Sequence, residues 1–517
     1  MKNSQVVRAG FRRLGAVSFF ILLSCCVLSA AEERPNIVLI MVDDMGFSDL
    51  GCYGGEVQTP NIDALAKNGL RFKQFYNTAK CHTTRAELLT GNYSYAIGDH
   101  RMEYGATFGE VLRTVGYRTL IAGKWHQNPL PTTRGFDRYY GLADGCSNFF
   151  NPGLKARPGE GSPGRKGKNR VRRWAIEDKV IMGYTSPDKN FYHTDAFTSY
   201  AIDRLDEYKG EGKPFLLYLP YTAPHYPLHA WPEDIAKYRG KYKVGWDEIR
   251  KQRFKRMNEM GIIGPNHKLT PRASKAWDDL SEEQKDAEDL KMAVYAAMID
   301  RVDQNIGKLV AHLKEAKTFD NTLIFFLADN GGCQEGGMLG RGNFYDVEKR
   351  NLEHANSYGE AWANASNTPF REYKHFVHEG GISTPLIAHW PNGIKDHGTF
   401  RHEPGHLVDI MATCVDLAEA KYPAEWKTSP VHSMEGKSLV PVFGGKDLPD
   451  RPLFWEHEGN RAVRVGDWKL VAKGRNGPWE LYNLKSDRSE LKNLVDADAV
   501  LIYYGACLLY TSDAADE

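Results

Sequence analysis

Five short apolar runs most narrow the folds open to this chain of 517 residues. They are NIVLIMV (36–42), TLIA (119–122), FLLYL (215–219), TLIFFLA (322–328) and PLIAHW (385–390). None alternates with polar residues, so each reads as a strand buried on both faces, as in a parallel sheet covered by helices. Helical spacing lies between them, most plainly in AVYAAMIDRVDQNIGKLVAHLKEA (293–316). The predicted class is α/β, with a large mixed, mostly parallel sheet flanked by helices. From about 440 the pattern changes. RPLFWEHE, RAVRVGDWKLVAK and WELYNL alternate and carry aromatic and β-branched residues, which predicts a smaller antiparallel sheet. The expected organisation is a main α/β domain over 34–438 and a small C-terminal α+β subdomain over 439–500.

The two ends read differently. Residues 1–31 combine Lys2, Arg8, Arg12 and Arg13 with the run GAVSFFILLSCCVLSA and a small-residue cleavage site, the pattern of a secretory signal. The run is too short for a spanning helix, so the mature chain is expected to have none. Export to the periplasm or medium follows, with lipid attachment at Cys25 or Cys26 as the other reading of LLSC. Residues 501–517 break the preceding pattern and read as a non-native tail. Of eight cysteines, six remain after the signal, widely spaced and without a zinc pattern. The formal net charge of +1 gives no whole-molecule attraction to nucleic acid, and none is expected as a partner.

Chemistry concentrates just after the apolar runs. IMV is followed by Asp43 and Asp44, LIAG by Lys124 and His126, FLLYL by His225, and FFLA by Asp329 and Asn330. Ligands in open α/β sheets bind beyond the carboxyl ends of the strands, so four runs deliver polar groups to one edge. Adjacent buried acids repel and need neutralising. A divalent cation does this, and all-oxygen ligation points to Ca2+, with Mg2+ possible. Read alone, Asp43 caps a turn and Asp329–Asn330–Gly331 is a tight turn.

In NTAKCHTTRAELLTG, Cys81 stands at a predicted helix N-terminus, where backbone N–H groups favour negative charge. Thr84 and Glu87 have capping-box spacing, and Arg85 lies one turn beyond Cys81 on the same face. An isolated cysteine reads as a small buried thiol. Lys124, His126, His225 and Lys374, singly ordinary, form with Arg85 and a cation a cluster suited to a compact anion.

These residues lie in RPNIVLIMVDDMGFSDLGCYGG, CHTTRAELLTG, GYRTLIAGKWH, TRGFDRYYG, APHYPLHA, FFLADNGG and KHFVHEGGISTPLIAHWP. Over nearly all of 34–495 the chain resembles the type I sulfatases of the alkaline-phosphatase superfamily, and within them the arylsulfatase-like branch. The resemblance implies an exported hydrolase of sulfate monoesters, aryl or carbohydrate. It implies that a maturing enzyme converts Cys81 to formylglycine, whose gem-diol is the nucleophile. Asp43, Asp44, Asp329, Asn330 and residue 81 would hold Ca2+. Arg85 and His126 would hold the diol, Lys124 and Lys374 the sulfate, and His225 would protonate the leaving alcohol. The family pattern is Cys-x-Pro-Ser/Thr-Arg, whereas position 83 here is threonine. A helix tolerates it, and maturation is what it puts in question.

Two other readings stand beside this one: a phosphate or phosphonate ester hydrolase of the same superfamily, and an inactive homologue that binds sulfated glycans. The alcohol would be read by loops such as 144–175 and 331–370 and by His457. The Gly/Pro/Lys/Arg-rich stretch 151–175 reads as a solvated loop or a positive lip, and 241–261 as an exposed basic helix.

Overall fold

The computed structural model describes residues 34–153, 155–157, 171–348, 355–427 and 429–495. The expected signal at 1–31, its Cys25 and Cys26, and the tail at 501–517 lie outside them.

Eighteen strands occur among the described residues. The first eleven are β1 (Asn36–Val42), β2 (Leu70–Phe72), β3 (Phe75–Tyr76), β4 (Arg118–Ala122), β5 (Arg138–Leu142), β6 (Arg173–Ile176), β7 (Lys179–Met182), β8 (Phe215–Pro220), β9 (Thr322–Ala328), β10 (Leu386–His389) and β11 (Thr399–Arg401). All but β3 form one sheet in the order β11-β2-β10-β9-β1-β8-β4-β5-β6-β7. Its centre, β9-β1-β8-β4-β5, is wholly parallel. The two ends of the sheet bring in antiparallel pairs.

Why the central runs lack alternation is visible in β1. Val38, Ile40 and Val42 point into the core on one side, and Ile37, Leu39 and Met41 into the core on the other. Helices cover both faces, so period-2 alternation sends apolar side chains to apolar surroundings either way. One face carries α1 (Pro60–Lys67) and the long α7 (Glu282–Glu315), together with α4 (His193–Tyr208) and α6 (Gly245–Glu259). The other carries α2 (Cys81–Thr90), α3 (Phe108–Leu112) and the helix Val408–Leu417. Helix α7 opens on a capping box in which Ser281 and Gln284 satisfy each other's backbone N–H groups.

Three expectations need correction. The PLIAHW run forms β10, but β10 lies antiparallel to both neighbours, so its carboxyl end points away from those of β1, β4, β8 and β9. Helix α6 is not an exposed basic helix. Trp246, Ile249, Arg250, Arg253 and Met257 are buried, and Arg253 pairs with Asp49 and Glu56. The described part of 151–175 does not form a lip through Arg157. That guanidinium turns inward and donates to the carbonyls of Phe150, at 2.5 Å, and Asp188.

Strands β15 (Leu453–His457), β16 (Asn460–Val465), β17 (Trp468–Ala472) and β18 (Trp479–Asn483) make the expected antiparallel meander. Its inner face shares a core with Tyr76, Ala79, Val377 and Ile382. Beneath it lies a buried charge cluster. Lys469 pairs with Glu379 at 3.1 Å and Glu490 at 2.8 Å, and Arg488 with Glu379 at 3.0 Å. The hairpin turn between β15 and β16 thereby reaches the edge where the chemistry gathers.

Candidate active site

Because β9, β1, β8 and β4 are adjacent and parallel, their carboxyl ends open on one side. β1 leads directly into Asp43–Asp44 and β9 into Asp329–Asn330, while β8 runs on to His225 and β4 to Lys124 and His126. Asp43, Asp44, Lys124, Asp329, Asn330 and Lys374 are all buried, as are Cys81 and Arg85. Asp44 and His126 hold positive φ angles of 66° and 57°. Such backbone conformations in non-glycine residues are costly and gather where a side chain must be aimed.

The side chains interlock. Lys124 Nζ donates to Asp43 Oδ2 at 2.5 Å, and Lys374 Nζ lies 2.7 Å from Asp44 Oδ1. Arg85 donates from Nη2 to Asp329 Oδ2 at 2.8 Å and from Nη1 to the Lys124 carbonyl at 3.1 Å. Asn330 Nδ2 donates to Asp44 Oδ1 at 2.7 Å, and the Asp44 backbone N–H to Asp329 Oδ1 at 3.2 Å. His225 Nε2 lies 3.5 Å from Asp44 Oδ2, and Cys81 Sγ lies 3.5 Å from His126 Nδ1. One donor atom from each of Asp43, Cys81 and Asp329 falls within 4.8 Å of the others, and the same holds for Asp43, Asp44 and His225. All ten residues singled out in the sequence thus meet in one place.

Helix α2 presents Cys81 as its first residue, but not through the predicted capping box. Lys80 is the N-cap and supplies no side-chain bond. Thr84 instead donates its hydroxyl to the Asp329 carbonyl at 2.7 Å, and Glu87 accepts the Ser94 N–H at 2.9 Å. Thr83 enters the helix without disturbance, donating to the Lys80 carbonyl at 3.0 Å and sharing a 2.8 Å bond with Thr78. Two glycines permit close approaches. A Cβ at Gly331 would stand 1.9 Å from the Gly380 carbonyl oxygen, and one at Gly145 would stand 2.9 Å from the His126 ring.

Burial pushes all three carboxyls up. At Asp44, His225 and Lys374 outweigh it and hold the group below the ordinary aspartate range. Asp43 and Asp329 stay above it despite Lys124 and Arg85. Burial also pushes the Cys81 thiol up, but Lys124, His126 and Lys374 overcome it and hold the group well below the ordinary cysteine range. His126 and His225 are each pushed down to about 4, chiefly by burial. His225 Nδ1 donates to the Tyr226 carbonyl at 2.5 Å, which leaves Nε2 as the atom facing the site.

Two oxygens here have no hydrogen-bond partner, Asp43 Oδ1 and Asn330 Oδ1. Buried acceptors in that state are costly unless something else satisfies them. With three carboxylates and an amide oxygen around one point, the donor set fits a hard divalent cation.

Sequence reasoning missed the ring around the entrance and the support behind it. His82 contacts the rings of His126 and His457, and His375 that of His457. His82 and His375 each directly follow a residue already singled out, and that adjacency was the available signal. Behind Asp44, the Tyr295 hydroxyl donates to Asp49 Oδ2 at 2.8 Å and lies 3.1 Å from the Asp44 carbonyl. No local pattern links those three.

The family described as "Sulfatase" matches residues 35–420, and that described as "N-sulphoglucosamine sulphohydrolase, C-terminal" matches 371–502. An uncharacterized sulfatase of Schizosaccharomyces pombe is 33% identical, over 90% of this chain and 91% of that one. An arylsulfatase of Klebsiella aerogenes is 32% identical, over 81% and 94% respectively. The crystal structure of Ps i-CgsB in complex with k-i-k-neocarrahexaose is 26% identical, with a TM-score of 0.65 over 92% of each chain.

Proposed function

Since this chain belongs to the sulfatase family and is a sulfuric ester hydrolase, we propose that it is an exported enzyme whose residue 81 acts as formylglycine beside a bound Ca2+. The carrying observation is the pair of partnerless buried oxygens, Asp43 Oδ1 and Asn330 Oδ1, in a site that also holds Cys81, Lys124 and Lys374. Asp43, Asp44, Asp329 and Asn330 would hold the cation. When present, the two groups supply a polarised hydroxyl nucleophile near neutral pH and a second hydroxyl that later releases sulfate.

The chain's own residues do the rest. Lys124 and Lys374 bracket the acidic groups and carry the positive charge that neutralises oxygens of the sulfuryl group as the ester bond breaks. They stand ready because buried carboxylates at 2.5 and 2.7 Å keep both ammonium groups charged. Arg85, fixed by Asp329 and the Lys124 carbonyl, holds position at the base of residue 81. His126 touches residue 81 through Nδ1 and orients its reacting atom. His225, with Nδ1 committed to the Tyr226 carbonyl, turns Nε2 toward the departing alcohol and would donate from it as the imidazolium, a form that the negative charge of a bound sulfate ester favours.

The alcohol would face the rim formed by Lys80, His82, His375 and His457. An arylsulfatase and a protein solved with a neocarrahexaose are both similar to this chain, which supports aryl or oligosaccharide sulfates as the substrate class. The test is a panel of aryl sulfates, sulfated oligosaccharides and aryl phosphates, read by released sulfate or phosphate. Sulfate release well above phosphate release is the expected outcome. Preferential phosphate release would overturn the proposal.

A further inference from the structure

At the rim beside the strand-end site, His375, His457 and Glu458 each place one donor atom within 4.8 Å of the others. Glu458 faces both rings, with Oε2 at 2.9 Å from His375 Nδ1 and Oε1 at 3.5 Å from His457 Nε2. His457 is 6% exposed, and its Nε2 has no hydrogen-bond partner. Zinc binds imidazole nitrogen and carboxylate oxygen at about 2.0–2.2 Å, so neighbouring donors of a tetrahedral site stand about 3.3 Å apart. Each ring nitrogen has a different Glu458 oxygen near that spacing, Oε2 for His375 and Oε1 for His457. We propose that His375, His457 and Glu458 form a second metal site, distinct from the acidic strand-end site, for a divalent transition cation of the zinc type.

The site is built in advance. His375 and Glu458 hold positive φ angles of 79° and 52°, costly backbone conformations of the kind that gather where side chains must be aimed. Asn460 is 5% exposed, and its Nδ2 donates to the carbonyls of His375 at 3.0 Å and His457 at 2.9 Å. A single amide therefore ties together two histidine-bearing segments that are far apart in sequence. Lys80 Nζ lies 3.0 Å from His375 Nε2 and 3.3 Å from Nδ1, and Glu335 Oε1 lies 3.5 Å from Nε2. The cation displaces Lys80 from the Nδ1 side, and Glu335 is the carboxylate that receives the ammonium. A fourth position would take water or a substrate oxygen. Two imidazoles and a carboxylate suit zinc, nickel or cobalt, whereas the oxygen-only strand-end set suits Ca2+.

The test is zinc stoichiometry and affinity on the full, untagged chain in saturating Ca2+, by titration against a chromophoric chelator. The chain itself is expected to bind one more zinc than His457→Ala. Glu458→Gln, a change at an exposed side chain, should weaken that zinc at least about tenfold. Asn460→Ala, which frees both segments, should weaken it about 10- to 100-fold. Co2+ at the site should give four-coordinate visible absorption that His457→Ala lacks. Equal zinc binding by the chain and by Glu458→Gln, or equal cobalt spectra for the chain and His457→Ala, would overturn the proposal. Glu458→Gln also keeps the test open if His457→Ala fails to fold.

Discussion

Replacing Arg253 with methionine probes the support behind the acidic pair without touching the site. The Arg253 side chain is fully buried and joins two carboxylates, with Nη1 at 2.7 Å from Asp49 Oδ1 and Nη2 at 2.7 Å from Glu56 Oε1. The two acids fare differently once it is gone. Glu56 is 18% exposed and keeps Arg256 at 3.4 Å, so water and a second guanidinium still serve it. Asp49 is wholly buried and keeps only neutral donors, the Gly46 N–H at 2.8 Å and the Tyr295 hydroxyl at 2.8 Å. Removing one partner of a buried pair costs about 3–5 kcal/mol, and methionine fills enough of the volume to keep the cavity term small. We expect a loss near the lower end, about 3 kcal/mol, because Asp49 retains those two bonds. Burial already pushes the Asp49 carboxyl up, and Arg253 is the main group opposing it. In the variant the folded-state value rises further. A carboxyl raised on folding contributes stability below its unfolded value and loses it as pH climbs through the folded value. The deficit should therefore be larger at about pH 8 than at about pH 5. Urea unfolding at both pH values, with Asp49→Asn/Arg253→Met as the double variant, measures it. The double variant should recover part of the loss. A deficit below about 1 kcal/mol at both pH values, or one that shrinks as pH rises, would refute the reasoning.

Other expectations follow from the same geometry. Lys124→Met and Lys374→Met should each lower kcat/KM for an aryl sulfate by about 10²–10³, as steady-state kinetics would show. Chelation should lower the melting temperature, and Ca2+ at about 100 times its Kd should restore about 2.7 kcal/mol, a response that Asp44→Asn should lack in calorimetry. Burial raises Glu288 to about 7 despite Lys291 at 2.5 Å. Its contribution to stability is complete below the ordinary glutamate value and is lost as pH rises through about 7. Unfolding free energy measured across that window should fall less steeply for Glu288→Gln.

The sheet was legible because uninterrupted apolar runs admit few readings, and the acids at 43–44 and 329–330 stand where such runs end. Most of the site was legible for the same reason, since its residues follow a strand or lie in the first turns of a helix; Lys374, in a loop, has no such local signal. Strand direction was not, since PLIAHW has the same apolar character as its parallel neighbours yet runs the other way in β10. Nor was the inward turn of Arg253, because a basic stretch does not mark which arginine meets Asp49 across some two hundred residues. Thr84 shows the limit of local pattern. Its spacing to Glu87 suits a capping box, but a tertiary acceptor, the Asp329 carbonyl, takes its hydroxyl instead. The entrance histidines belong to three separate segments, and only the folded chain assembles them.

One preparation, assayed for sulfate release and digested for the mass of the peptide containing residue 81, tests the central claim most directly. The account predicts that activity tracks the fraction of that residue in which the thiol has become an aldehyde. Full turnover by a chain that keeps an intact Cys81 thiol would contradict it.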